Sequence, residues 1–213
     1  MNQQAISPAP PSIALPLFLW LLIQLFALML AAARVPLTAG LGPTPEELSL
    51  RELLAIDLIS AGMLFPFLLR TWSATLVLVA SCAPFMCAAG LFSGSSTGAL
   101  LAGWSYLALW LVALRVWYVA LPSRAHLCAV AVLNVFTVGL PILDYLHREF
   151  SPQSRWRAQI SPVASLLEHM DDAQISLAWW LPVLVPLAAG SALLWWSKWG
   201  LRDAGGGVSQ KRK

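Results

Sequence analysis

Three ionisable residues, Asp57, Asp144 and Arg115, are set inside long apolar stretches of this chain. A charge in such surroundings is costly, so each is a starting point for a functional reading. Asp57 and Asp144 are expected about one turn below the same face of a membrane. There they form a candidate acidic site with Arg51 and Arg148, beside Glu52 and His147. Two carboxylates at one depth have three possible chemistries. They can share a proton in aspartyl hydrolysis, because adjacent like charges do not both ionise readily. They can bind a cation or proton in transport, or pair with Arg51 and Arg148 and hold helix ends together. Asp144 precedes His147 by three residues and Arg148 by four, which puts them on one helix face and favours ionic pairing. Arg115 has a stem long enough to snorkel to the headgroups. Asn134, in the middle of its apolar stretch, reads as an interhelical hydrogen bond.

A second constellation is Glu46-Glu47-Leu48-Ser49-Leu50-Arg51. It fits E-E-x-x-x-R and resembles the first motif of the CAAX-type intramembrane proteases. That resemblance implies a hydrolase in which Glu46 or Glu47 acts with histidines on later membrane helices to activate water. The histidines available are His126 and His147, at opposite ends of one apolar run, and His169 in a polar stretch. Thr44-Pro45-Glu46-Glu47 equally describes a helix start with acids in its first turn. The chain contains no Walker A sequence, Gly-rich phosphate loop or nucleophile elbow. No two histidines match in depth for a haem, and Cys82, Cys87 and Cys128 form no C-x-x-C pair and read as packing residues. The expectation is therefore no cofactor, no metal and no catalytic site.

The elements that must position these residues follow from composition. Of 213 residues, 59% are hydrophobic and 11% charged, against roughly 25% charged in a soluble domain. Mean hydropathy is +0.72. This excludes a soluble enzyme, a disordered regulator and a DNA-binding domain; despite the net charge of +3, no nucleic-acid partner is expected. The lipid bilayer is the expected solvent. Apolar runs at 13–33, 53–69, 74–92, 98–121, 125–146 and 175–197 predict an all-α bundle of six transmembrane helices, each long enough to cross hydrocarbon. The whole chain then forms one transmembrane domain with a Pro-rich tail at 1–12, an extramembrane loop at 147–174 and a basic tail at 198–213. The first run carries no Lys or Arg ahead of it, which favours a retained helix over a cleaved signal peptide. Pro66, Pro84, Pro141, Pro182 and Pro186 bend their helices, and Gly94, Gly98 and Ala102 suit close helix contact. Trp72, Trp117, Trp179, Trp180, Trp195, Trp196 and Trp199 fall near helix ends and are expected as interfacial anchors.

Within the loop, residues 161–170 read as an amphipathic helix with Pro162 at its first position and Leu166, Leu167 and Met170 on one side. A short interfacial helix before a final span, in a six-helix chain, resembles the ABC-2-type exporter permeases. The resemblance is architectural and covers the helix count and the last fifty residues. It implies a cytoplasmic ATPase partner, docked on a coupling helix between the second and third spans, a part that only residues 70–79 could play here. Together these features predict a non-catalytic inner-membrane permease or membrane subunit that works with other protein subunits.

Parity of six spans puts both termini on one side. With that side cytoplasmic, Arg70, Arg115, Arg124, Lys198, Arg202, Lys211, Arg212 and Lys213 lie inside, and Arg34, Arg51, Arg148, Arg155 and Arg157 lie outside. The excess inside follows the positive-inside rule. Reporter fusions should accordingly place Arg124 and Lys213 in the cytoplasm and Gln159 outside. A periplasmic signal at Lys213 would overturn this orientation.

Overall fold

The computed structural model describes residues 14–38, 45–150, 161–169 and 177–205. The described residues are helical, with no strand among them. The helices are α1 (Ala14–Thr38), α2 (Pro45–Leu68), α3 (Trp72–Ser93), α4 (Thr97–Ala120), α5 (His126–Asn134), α6 (Leu140–Phe150), α7 (Pro162–His169) and α8 (Leu177–Gly205). A 3₁₀ turn, Ser123–Ala125, leads into α5, and a π-helical segment, Val135–Gly139, joins α5 to α6 without a break. The tail at 1–12, the Lys211–Lys213 cluster, Met170, Asp171 and Asp172 lie outside the described residues.

Among the described residues, four helical stretches are long and apolar enough to cross a membrane: Trp72–Ser93, Thr97–Ala120, Ser123–Leu143 and Trp179–Ser197. The chain is therefore a membrane protein. Of the other two expected spans, α1 is apolar apart from Gln24 throughout the part whose side chains are described, Ala14–Leu30. α2 starts at Pro45, ahead of the apolar run at 53–69, and so takes in Glu46, Glu47, Arg51 and Glu52 as well as Asp57. The acids of Thr44-Pro-Glu-Glu thus open a helix, and the helix they open is too polar to pass as a span on composition.

Local chemistry sets the turns. Three residues, 69–71, separate α2 from α3 and force them antiparallel. The Thr71 hydroxyl accepts from the Ala74 amide at 3.1 Å, and the helix it caps runs unbroken to Ser93. Residues 72–79 are thus the first turns of α3; they do not bend away as a separate coupling helix. Gly94 ends α3 at φ 61, a left-handed conformation that glycine adopts without strain, and Ser96 caps α4.

The bundle is organised around α4. Five of its side chains donate to backbone carbonyls of other segments: Trp104 to Val79 of α3 (3.0 Å), Tyr106 to Pro162 of α7 (3.1 Å), Trp110 to Leu58 of α2 (3.1 Å), Arg115 to Leu69 just past α2 (2.8 Å) and Trp117 to Pro186 of α8 (2.8 Å). α4 packs most extensively on α8 and also lies against α2 and α3, while α1 covers α2 and α3 from the other side. The Trp anchors expected from sequence therefore divide. Trp195 and Trp196 are exposed, but Trp179 is buried and stacked on Tyr106 at 5.0 Å, and Trp117 is turned into the α4–α8 seam.

The loop helix differs most from expectation. α7 is wedged among α2, α6, α8 and the π segment, and each of its described side chains is buried. Proline chemistry explains one attachment. Pro141 has no N–H to return to Thr137 O, so that carbonyl is free of its α-helical partner and accepts from the Ser161 hydroxyl at 3.2 Å. The ladder shifts register there, with Leu140 N–H reaching back to Val135 O. Ser165 makes a second, longer bond to Trp179 O at 3.4 Å.

The α4–α8 seam yields a matched pair of substitutions. A Cβ at Gly190 would stand 2.8 Å from Trp117 Cδ1 and 3.1 Å from Val116 Cγ1, whereas one at Gly62 meets nothing within 4 Å. Gly190→Ala should therefore cost about 1–3 kcal/mol by overpacking. Gly62→Ala should be neutral or stabilise by roughly 0.5–1 kcal/mol. Unfolding in mild detergent, followed by tryptophan fluorescence, reads both.

Candidate functional site: a buried carboxyl–amide cluster

Asp57 falls at the middle of α2, because that helix begins at Pro45 rather than at Leu53. Its side chain is completely buried. Gln24, at the middle of α1 and equally buried, donates from Nε2 to Asp57 Oδ1 at 2.5 Å. The same nitrogen lies 3.6 Å from Cys82 Sγ, at the middle of α3. The Cys82 thiol in turn donates to Leu78 O at 3.1 Å. Three helices thus bring a carboxyl, an amide and a thiol to one point within the bundle. Trp20, Leu53, Leu54, Leu58, Ala61 and Leu78, on the same three helices, belong to the buried core.

The cluster is incompletely satisfied. Among the described residues, five buried side-chain polar atoms have no hydrogen-bond partner, and three belong here: Trp20 Nε1, Gln24 Oε1 and Asp57 Oδ2. Most buried polar atoms in folded proteins are paired, so a concentration of unpaired ones at a single point calls for a chemical explanation. Both hydrogens of the Gln24 amide have acceptors, in Asp57 Oδ1 and Cys82 Sγ. What remains is one oxygen on each partner and the Trp20 indole N–H.

The candidate residues read from sequence are distributed otherwise than expected. Asp57 lies at mid-helix in α2, whereas Asp144 belongs to α6, just past the apolar stretch Ser123–Leu143, and α6 packs on α7 and the π segment. The side chains of Asp144, Arg148, Glu46 and Glu47 lie outside the described residues. Arg51 is half-buried in the first half of α2, nearly two turns from Asp57. The hydrogen-bond partner of Asp57 is thus a neutral amide, where an ionic pair was expected. Asn134 does not bridge helices: its Nδ2 donates to Val130 O, one turn back on its own helix, at 2.8 Å.

Arg115 does not snorkel outward. It is 8% exposed, and its Nη1 holds the Leu69 carbonyl at the end of α2. Its guanidinium carbon lies 5.5 Å from the Trp72 ring centre and 5.3 Å from that of Tyr118. His126 stacks on the other aromatic of this group, Tyr118, at 4.6 Å and meets Phe65 edge-on. This places His126 at the far end of α2 from Glu46 and Glu47. Phe65 stands five turns along α2 from them, or about 28 Å at 1.5 Å per residue.

Sequence reasoning missed Gln24, Trp20 and Cys82. One signal was present: Gln24 is the one amide in the otherwise apolar stretch Ala14–Leu30. Such a residue in a membrane helix needs a partner on another helix as much as a charge does. Cys82 carried no comparable signal, since thiols pack as small apolar groups. The buried hydroxyls of Thr137, Ser161 and Ser165 were likewise unmarked.

Among the described residues, no group of three or more His, Cys, Asp and Glu side chains is placed to hold a metal ion. In comparisons with known proteins, no family model, curated protein or solved structure matches the chain.

The Arg115 geometry carries its own test. Arg115→Met removes the charged donor from Leu69 O while keeping much of the apolar stem. It should cost roughly 1.5–3 kcal/mol, the range for a hydrogen bond to a charged group. Arg115→Lys should recover part of this loss. Detergent unfolding midpoints of the two variants and the parent give the comparison.

Proposed function

We propose that the protein is a non-catalytic, six-span inner-membrane permease, with both termini in the cytoplasm, whose coupling site is Asp57 with Gln24. The observation that carries this reading is Asp57 itself. It is an acidic side chain with no exposed surface, at mid-helix, where three helices meet, with an oxygen left unpaired. Ionisable groups in that position mark ion and proton paths in membrane proteins. A purely structural carboxylate is expected to be held by a cation, and Asp57 is held by an amide. α1 and α2 complete the six spans, since both pack against α3, which is apolar enough to cross on its own.

α7 supports the same reading. Non-helical or re-entrant backbone is tolerated at membrane depth only inside protein or beside a polar path. Tyr106, Thr137, Ser161 and Ser165 form a buried set of hydroxyls around this short helix, which also packs on α2. Energy then comes from an ion gradient in preference to an ATPase, because residues 69–71 leave no separate docking helix between α2 and α3. A role as the membrane subunit of a larger complex is compatible with such a site, and other protein subunits are expected partners.

The test is flux in liposomes. Purified protein should dissipate an imposed proton, sodium or potassium gradient, read with a potential-sensitive dye. Asp57→Asn should abolish that flux at normal abundance and with a normal unfolding midpoint. Flux equal to wild type in Asp57→Asn would remove Asp57 as the coupling site, and absence of flux in the wild type would sink the permease assignment.

A further inference from the structure

We propose that the ion held at this site is a proton, carried on Asp57 Oδ2 and donated to Gln24 Oε1. The inference rests on the permease reading only for its purpose; the protonation itself follows from donors and acceptors. An ionised carboxylate accepts hydrogen bonds and donates none. With Asp57 ionised, Gln24 Oε1 and Asp57 Oδ2 are both fully buried acceptors without a hydrogen-bond partner. Adding one proton to Oδ2 converts one of the two into a donor. The Asp57–Gln24 contact then becomes a carboxylic acid–amide pair, with N–H to Oδ1 in one direction and O–H to Oε1 in the other. One addition removes two unsatisfied acceptors at once.

A metal cation fits the same atoms less well. Sodium or potassium needs several oxygen ligands, and the neighbouring polar atoms here are the Cys82 thiol and the Trp20 indole N–H. The indole presents a hydrogen, which repels a cation. The groups that face the pair are few. α1 contributes Trp20 and Gln24, and α3 contributes Cys82. α4 brings Trp110, whose N–H is committed to Leu58 O. From the α5 side, the buried residues packed into the same core are the apolar Ala129 and Leu133. The step is simple in balance: one O–H bond forms on uptake and breaks on release, with no change of oxidation state. Loss of the proton returns both buried oxygens to the unpaired state.

Infrared spectroscopy of the full-length protein in lipid decides the matter. The wild-type minus Asp57→Asn difference at neutral pH should contain the C=O stretch of a protonated carboxyl, displaced by ¹³C-labelled aspartate. Asn is the isostere of the neutral acid, so this variant should fold. Gln24→Leu provides a second reading that does not need the Asp57 variant: it should shift the same band by removing the amide partner. A carboxylate band in place of the protonated one would overturn the proposal. So would an unfolding midpoint raised by sodium or potassium chloride but not by choline chloride, which would identify a metal cation and leave the permease reading intact. A protonated-carboxyl band in a protein that moves no ions in liposomes would uphold the proton assignment and overturn the permease reading instead.

Discussion

Most of this structure hangs on hydrogen bonds donated by α4 to the backbones of its neighbours. In a membrane there is no difference in solvent to press one apolar helix against another, so specific contacts must select which helices meet. Trp104, Tyr106, Trp110, Arg115 and Trp117 supply them at successive heights along one helix, reaching α3, α7, α2 and α8. Each donor meets a carbonyl oxygen, which has a lone pair to spare even when it already serves a helix. Rings of this size also fill the seam, and glycine at 190 lets the Trp117 indole reach the α8 backbone.

Against that framework, two regions stand out for polar burial. One is the Gln24–Asp57–Cys82 cluster, where α1, α2 and α3 converge. The other is the junction of α7 with the π segment, where Pro141 releases a carbonyl and Ser161 takes it up. π segments insert a change of register into an otherwise regular helix and recur at functional sites. Both regions border α2, the one long helix whose composition alone would not admit it to a membrane. The helix least suited to lipid is the one most surrounded by protein, which is how its polar groups are accommodated.

The legibility of the sequence follows the range of the interactions involved. The helical runs, the tight link after α2, the opening of a helix at Thr44-Pro-Glu-Glu and the special standing of Asp57 all depend on residues near one another in the chain. Hydropathy, capping and chain reach decide such features locally. The expected position of Asp57, one turn from a helix end, failed because the edge of an apolar run is not the end of a helix. α2 continues from Leu53 back to Pro45, which moves Asp57 to mid-helix.

What the chain itself determined, then, is its solvent, its helical class and the presence of a carboxyl that needs an explanation. An apolar fraction of 59% with 11% charge leaves a membrane as the medium that can cover the surface. The tertiary structure decided the partners. Nothing in the spacing of Gln24, Asp57 and Cys82 links them, since they are 33 and 58 residues removed along the chain from Gln24. Nor does spacing reveal that Arg115 turns inward to Leu69, or that α7 sits inside the bundle. Helix pairing in lipid is settled by steric fit and by donors finding acceptors across helices. Those matches exist only once the backbones are in place.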